Sequence, residues 1–445
     1  MAPARRCGAV CLLVSLVVGP DSALLEAQTL PAYELPPIHY STATESNRAT
    51  RLTAELASDP TRLHGRSEQD KLRSLLSALD IPTASQVLVF SKTSLQRRLI
   101  SPNHPRALYF SDDAYLGWVP GGLMELAVTD PALGLAFYRI DARSDEQSPV
   151  VERDAECLSC HAGPLTREWP SLLVRSVFPD ETGEPIGPAG SFLVEQDTAI
   201  SNRWGGWYVT GGSGREGHLG NLVLSHYEPG QEIDRTTGAS RTNLAGFFDP
   251  GGYPAPTSDI VALMVLEHQA GMHNRFAEGA LQVRKWSHYQ RELQRELGKP
   301  VSDEPVGTAL RVVQGEAGRI LEHLLFTGEA ALPATGIPGN PDFREAFRQN
   351  RRVDPQARSL KDFDLQTRLF RWRCSYLIYS DAFTWLPDAL RHEVLTRLRD
   401  GLTAAEPTLP FRHLPLDERR AIHEILLATH AEYAATAPAS RASKP

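Results

Sequence analysis

Leu123-Met124-Glu125-Leu126-Ala127-Val128-Thr129-Asp130-Pro131-Ala132-Leu133-Gly134-Leu135-Ala136-Phe137-Tyr138-Arg139-Ile140 is the stretch that sets the class of fold. Two runs rich in apolar, β-branched and aromatic residues, 123–128 and 135–140, flank a turn signal at Asp130-Pro131. Runs of this kind, bounded by Gly, Pro and Asp, read as strands. The same texture extends upstream to 86–90 and 107–110, punctuated by Pro120-Gly121-Gly122, and downstream to 172–178 and 222–224. Outside this region the pattern becomes helical. Residues 41–80 read as helix, and Ser67-Glu68-Gln69-Asp70 carries the side chains of a capping box, with Asp in the place usually held by Glu. From Ser258 onward, helices are predicted at 258–297, 308–326, 342–350, 362–380, 387–402 and 416–434. The expectation is an α+β protein, with a strand-rich N-terminal half over 28–255 and a mostly helical C-terminal half over 256–434. The small, polar tail at 435–445 is expected to be disordered.

With 445 residues, the chain can build one large domain or two moderate ones. Its hydrophobic fraction of 41% and charged fraction of 22% are those of a soluble globular protein. A net charge of −8 speaks against a general nucleic-acid binder, which needs a basic excess. At the N-terminus, Arg5 and Arg6 precede a short apolar run at 10–18, which Gly19-Pro20 breaks and small residues Ala23 and Ala27 follow. This is the three-part pattern of a secretory signal peptide, 1–27, and it predicts a periplasmic or otherwise exported protein. A membrane anchor would need about 20 apolar residues, more than the run supplies. No later segment is apolar enough to span a bilayer, so the mature chain is expected to have no transmembrane span.

Of five cysteines, Cys7 and Cys11 leave with the leader, and Cys157, Cys160 and Cys374 remain. Three cysteines do not make a disulfide framework. Two of them lie in Cys157-Leu158-Ser159-Cys160-His161, a C-x-x-C-H run with the form of a c-type haem attachment site. The two thiols can reach the two vinyl groups of one porphyrin, and the next residue projects beneath the ring as an axial imidazole. Chance would produce this pentapeptide roughly 0.002 times in a chain of this composition, so the run is specific. Bacterial c-type haem is attached outside the cytoplasm, so the leader and the motif agree. A redox dithiol would open a helix in a βαβ setting, of which there is no clear pattern here. A structural zinc site would need a fourth ligand, and only Cys374 remains as a further thiol, in a largely apolar context.

The iron's sixth position has three protein candidates, or none. His268 and Met272 fall on one face of the 258–276 helix, with Val261, Met264, Val265 and Phe276 on the same stripe. Glu267, His273 and Asn274 share that apolar helix, and buried polar groups there need partners. His218 follows Trp204-Gly205-Gly206-Trp207, where glycines permit close approach to a flat cofactor and tryptophans can pack on it. With no protein ligand at that position, the iron would bind small molecules. Arg344, Arg348, Arg351, Arg352, Arg358, Lys361, Arg368, Arg371 and Arg373 form a basic stretch that reads as a solvated helical face, or as a surface for propionates or an acidic partner.

At the C-x-x-C-H run the chain resembles the c-type cytochromes. Its length, with the 204–212 and 374–380 stretches, is similar to that of large exported monohaem proteins of unassigned function. The resemblance implies one covalent haem c, electron transfer and a redox partner protein. The alternative is a haem enzyme of peroxidase or oxygenase type with an open iron site. Small cytochromes c place a distal Met downstream, whereas here no Met lies between His161 and Met264.

Overall fold

The computed structural model describes residues 30–436, apart from 60, 62, 64–66, 143–149 and 215–216. The expected leader at 1–27 and the tail beyond Thr436 lie outside the described residues. The fold is α+β: an antiparallel sheet of seven strands in the N-terminal half, followed by a mostly helical C-terminal half.

Five strands follow one another as a meander: β1 (Val87–Val89), β2 (Arg106–Ser111), β3 (Ala114–Trp118), β4 (Met124–Asp130) and β5 (Gly134–Ile140). β6 (Val151–Arg153) pairs with β5 at one edge. A separate two-stranded ladder joins β7 (Arg175–Val177) to β8 (Ser191–Leu193), and β9 (Trp207–Tyr208) closes the main sheet against β1. The register sets Ala127 opposite Phe137, and Tyr115 opposite both Ala127 and Phe110. Because side chains alternate along a strand, these residues share one face.

Both faces of the sheet are buried, each in its own core. Leu88, Tyr109, Leu116, Leu126, Tyr138 and Tyr208 face one core, together with α1 (Arg48–Ser58) and α2 (Glu68–Ala78). Asn47 and Ser67 cap these helices through capping boxes, the second at the predicted position. Val89, Phe110, Tyr115, Ala127, Phe137 and Trp207 belong to the other core, which they share with the C-terminal helices. The strand-rich and helical regions therefore meet in one interior.

The central helix of that second core is α4 (Ile260–Glu296), after the short α3 (Leu158–His161). Asp259 caps it by accepting from Val261 and Ala262, and a second carboxylate oxygen accepts from the Asn340 amide. Residues 260–270 are buried all round, which explains the uninterrupted apolar run at 260–266. Around α4 lie α5 (Gly307–Leu324), α6 (Pro341–Arg348), α7 (Asp381–Thr384), α8 (Asp388–Thr403), α9 (Leu416–Thr429) and α10 (Ala431–Ala435).

Three expectations are corrected. No single helix spans 362–380. The Asp364 carboxylate captures the backbone N–H groups of Gln366, Thr367 and Arg368, Phe363 stacks on Phe370 at 5.3 Å, and only a short turn at Tyr376–Tyr379 is helical. Such capture competes with helical hydrogen bonds. The 416–434 helix divides at His430, whose ring accepts from the Tyr433 amide to start α10. Residues 222–224 form no strand, whereas β3, with Gly117 in its interior, does.

Candidate functional site

The C-x-x-C-H run lies just beyond the β5–β6 edge of the sheet. The Asp154 amide donates to the Phe137 carbonyl on β5 (3.0 Å), and the Asp154 carboxylate accepts from the Glu156 amide (2.9 Å). A tight turn runs from there into α3, which carries Cys160 and His161, with Cys157 immediately before it. Cys157 is half-buried, Cys160 is exposed, and neither is in a disulfide.

All three predicted residues, Cys157, Cys160 and His161, line one cavity of about 370 Å³. That volume falls within the range of cofactor and small-molecule sites, about 300–1,000 Å³. The sheet face forms one wall, from Phe137 across Ala127 and Tyr115 to Val89 and Trp207. Leu266 and Ala270 of α4 and the 172–175 segment form others, and Leu95 and Leu165 reach it from exposed positions. The lining is mainly apolar, with Tyr115, Arg106, Glu125 and Arg175 as its larger polar groups.

His161 is held in a defined tautomer. Its Nδ1 lies 2.7 Å from the Ser171 carbonyl oxygen, which can only accept, so Nδ1 carries the proton and Nε2 keeps its lone pair. The Ser171 amide returns a bond to the His161 carbonyl (2.8 Å). Next along the chain, the Leu172 amide donates to Asn274 Oδ1 (2.7 Å), and Asn274 Nδ2 donates to the Leu172 carbonyl (2.9 Å). Asn274 thus fastens the strap that orients His161 to α4. The imidazole also packs on Phe137, with ring centroids 4.6 Å apart. Burial lowers the His161 pKa below its ordinary value, so the ring is neutral at pH 7. A neutral imidazole with one nitrogen fixed by a carbonyl is the usual form of a metal-ligating histidine.

The Cys157 thiol is pushed up to about 12, first by burial and then by the nearby Asp154 and Glu125 carboxylates. Reactive dithiols have depressed values, so this environment does not suit a redox C-x-x-C. Cys374 is buried in the helical core. Among the described residues, no three His, Cys, Asp or Glu side chains cluster as a metal-ion site, so the zinc alternative finds no ligand set. Two thiols and a neutral imidazole bordering an apolar cavity fit a covalently attached haem.

The remaining candidates are not brought to this cavity. His268 is buried, lies 2.8 Å from Ser375 Oγ through Nε2 and stacks on Phe326. With Glu267 it borders a separate space of about 20 Å³. Met272 is packed in the helical core. His218 is buried edge-on against Trp204, its Nδ1 accepting from the Gly220 amide. Of the glycine- and tryptophan-rich stretch, Trp207 does line the cavity, donating its indole N–H to the Arg175 carbonyl. The basic stretch is largely neutralised within the chain: Arg348 and Arg351 pair with Asp362, Arg358 with Asp354 and Glu424, Lys361 with Asp112, and Arg373 with Glu418.

Several cavity residues carry no local signal in the sequence. Arg106 and Glu125 form an ion pair on the sheet face. Tyr115 reaches His273 of α4, Oη to Nδ1 at 2.6 Å. Their strand spacing could have flagged them only once the register was known. Among the described residues, no helix is long and apolar enough to cross a membrane. No protein-family model, curated protein or solved structure matches the chain.

Proposed function

We propose that this chain is an exported c-type monohaem protein that works in electron transfer with a redox partner protein. Support comes chiefly from one observation: Cys157, Cys160 and a tautomer-fixed His161 border the same cofactor-sized cavity. Cys157 and Cys160 would hold a haem as thioethers, each S–H adding across one vinyl group to give a C–S and a C–H bond with no external oxidant. His161 would offer Nε2 to the iron, and Ser171 and Asn274 hold the imidazole in place for it. When bound, the haem supplies a one-electron couple. The apolar walls exclude water from it, and the exposed position of Cys160 lies on the side open to a partner.

The second reading, a haem enzyme with an open iron site, is favoured by the composition of the lining. His161 is the one histidine among the described lining residues, methionine is not among them, and Tyr115, Glu125 and Arg106 supply polar groups. Expression of the full chain in a host with haem-attachment machinery tests both readings. One added porphyrin mass and a Soret band that survives organic extraction are expected, and both should be lost when Cys157 and Cys160 become serine. A low-spin ferric spectrum supports electron transfer, and a high-spin one supports the open site. Protein without porphyrin mass would overturn haem binding itself.

A further inference from the structure

The cavity wall contains a hydroxyl group wired to the interior. Tyr115 lines the cavity and is 8% exposed. Its hydroxyl oxygen lies 2.6 Å from His273 Nδ1, and the two rings meet edge to face. The other nitrogen, His273 Nε2, is buried without a well-formed hydrogen bond, and the Asp112 backbone carbonyl lies beside the ring. Nε2 lies 3.9 Å from Asp113 Oδ1, short of a hydrogen bond but within reach of one after a small side-chain rotation. His273 also borders a second space of about 10 Å³, with Asp130, Arg284, Ala382 and Trp385 around it. That is close to the volume one water requires. A buried histidine thus joins a cavity-lining phenol on one side to a carboxylate and a water-sized void on the other.

We propose that Tyr115, His273 and Asp113 form a proton relay between the C-x-x-C-H cavity and the protein interior. It rests on the haem reading above and adds to it the route by which protons follow electrons. Toward the cavity, Tyr115 gives its phenolic proton to an oxygen or carboxylate acceptor there. His273 replaces it from Nδ1, and Nε2 is recharged by the Asp113 carboxyl. The net change is one proton moved from the Asp113 carboxyl to the cavity acceptor, leaving the Asp113 carboxylate, and no oxidant or reductant is required. Burial keeps the phenol protonated and the imidazole neutral, so both groups can pass a proton by tautomer exchange without holding charge. Asp113 is pushed up to about 6 by burial and by Asp381, so near neutrality it is a carboxyl that can both give and take a proton. The other charged groups near His273 are Asp130 and Arg284. Asp130 is held by Asn47 and by the amides of Ala132 and Leu133, and Arg284 donates to the Ala132 carbonyl.

The test is rapid-mixing reduction of the ferric holoprotein by a small-molecule reductant in H2O and in D2O, for wild type, Tyr115→Phe and His273→Gln. Tyr433→Phe, a buried tyrosine bonded to His423 and not lining the cavity, is the control. The expected result is a proton-linked phase that is slower in D2O in the wild type. In both relay variants it should be slowed about tenfold or more and lose its isotope dependence, with the Soret position unchanged. Tyr433→Phe should behave as wild type. Unchanged rate and isotope dependence in Tyr115→Phe and His273→Gln would overturn the relay and leave haem binding intact. A wild-type protein with no Soret band would overturn both.

Discussion

Gly117 shows how one absent side chain shapes the cavity. A β-carbon at this position would stand 2.2 Å from Arg106 Nη2, so the guanidinium occupies the space a side chain would fill. Substituting Gly117→Val would drive Arg106 off the sheet face and break its pairing with Glu125. A loss of about 1–3 kcal/mol is expected from overpacking, measurable by urea unfolding. Asn274→Ala should act differently. It releases the Leu172 backbone and loosens the strap on His161. Weakened axial ligation, seen as an altered ferric spectrum at unchanged porphyrin content, is the expected outcome. An unaltered spectrum would remove Asn274 from the site. At this scale the sequence exposes what is contiguous. Cys157, Cys160 and His161 are adjacent, so their chemistry is written in one pentapeptide. Tyr115, Arg106, Glu125 and His273 come together only through strand register and the packing of α4 on the sheet, which no local spacing records. His268 and Met272 drew attention as neighbours on a helical face, yet both turn into the core away from the cavity.

Among the elements, α4 buries a run of polar side chains, Glu267, His268, Gln269 and His273. Glu267 is buried against Arg203 at 2.6 Å, and the guanidinium also donates to the Thr198 and Gln196 carbonyls. Burial raises the Glu267 pKa, and Arg203 counters that shift. Removing one partner leaves a buried charge or acid unpaired, so Arg203→Met should cost about 3–5 kcal/mol. Replacing both, Arg203→Met with Glu267→Met, should recover much of the loss. Denaturant unfolding of the two singles and the double tests this, and equal losses in single and double variants would contradict it. The long helices and four of the five meander strands are legible because period and punctuation agree there, whereas Gly117 interrupts the pattern of β3. The 362–380 segment misleads because it has helical composition while the Asp364 side chain and the stacked Phe363 and Phe370 favour turns. β6, β8 and β9 are two or three residues long, too short for a period to register.

For the molecule as a whole, the buried histidines predict how stability follows pH. Burial holds His218 and His323 at about 4 and His273 at about 3, against an ordinary 6.5. The unfolded chain takes up these protons as pH falls below about 6.5, well before the folded chain does. Their contribution to stability is therefore complete above that pH and is lost as pH falls toward 4 and 3. Asp113 and Asp259, raised to about 6 from 3.8, act in the opposite sense: their contribution is complete below 3.8 and lost as pH rises through 6. The histidines are more numerous and further displaced, so the melting temperature should climb between pH 4 and 6.5. A flat or falling profile over that interval would show that these side chains are not buried as described.

The sheet is enclosed on both faces, and the thiol-bearing turn lies at the margin of the two cores, with Cys160 open to solvent. That layout has a consequence for biogenesis. On the haem reading proposed above, the scaffold would mature before its pigment arrives, and a ligase acting from outside would stitch the porphyrin onto a finished body. A Cys157→Ser, Cys160→Ser double variant should then still unfold in one cooperative transition by calorimetry, colourless but intact.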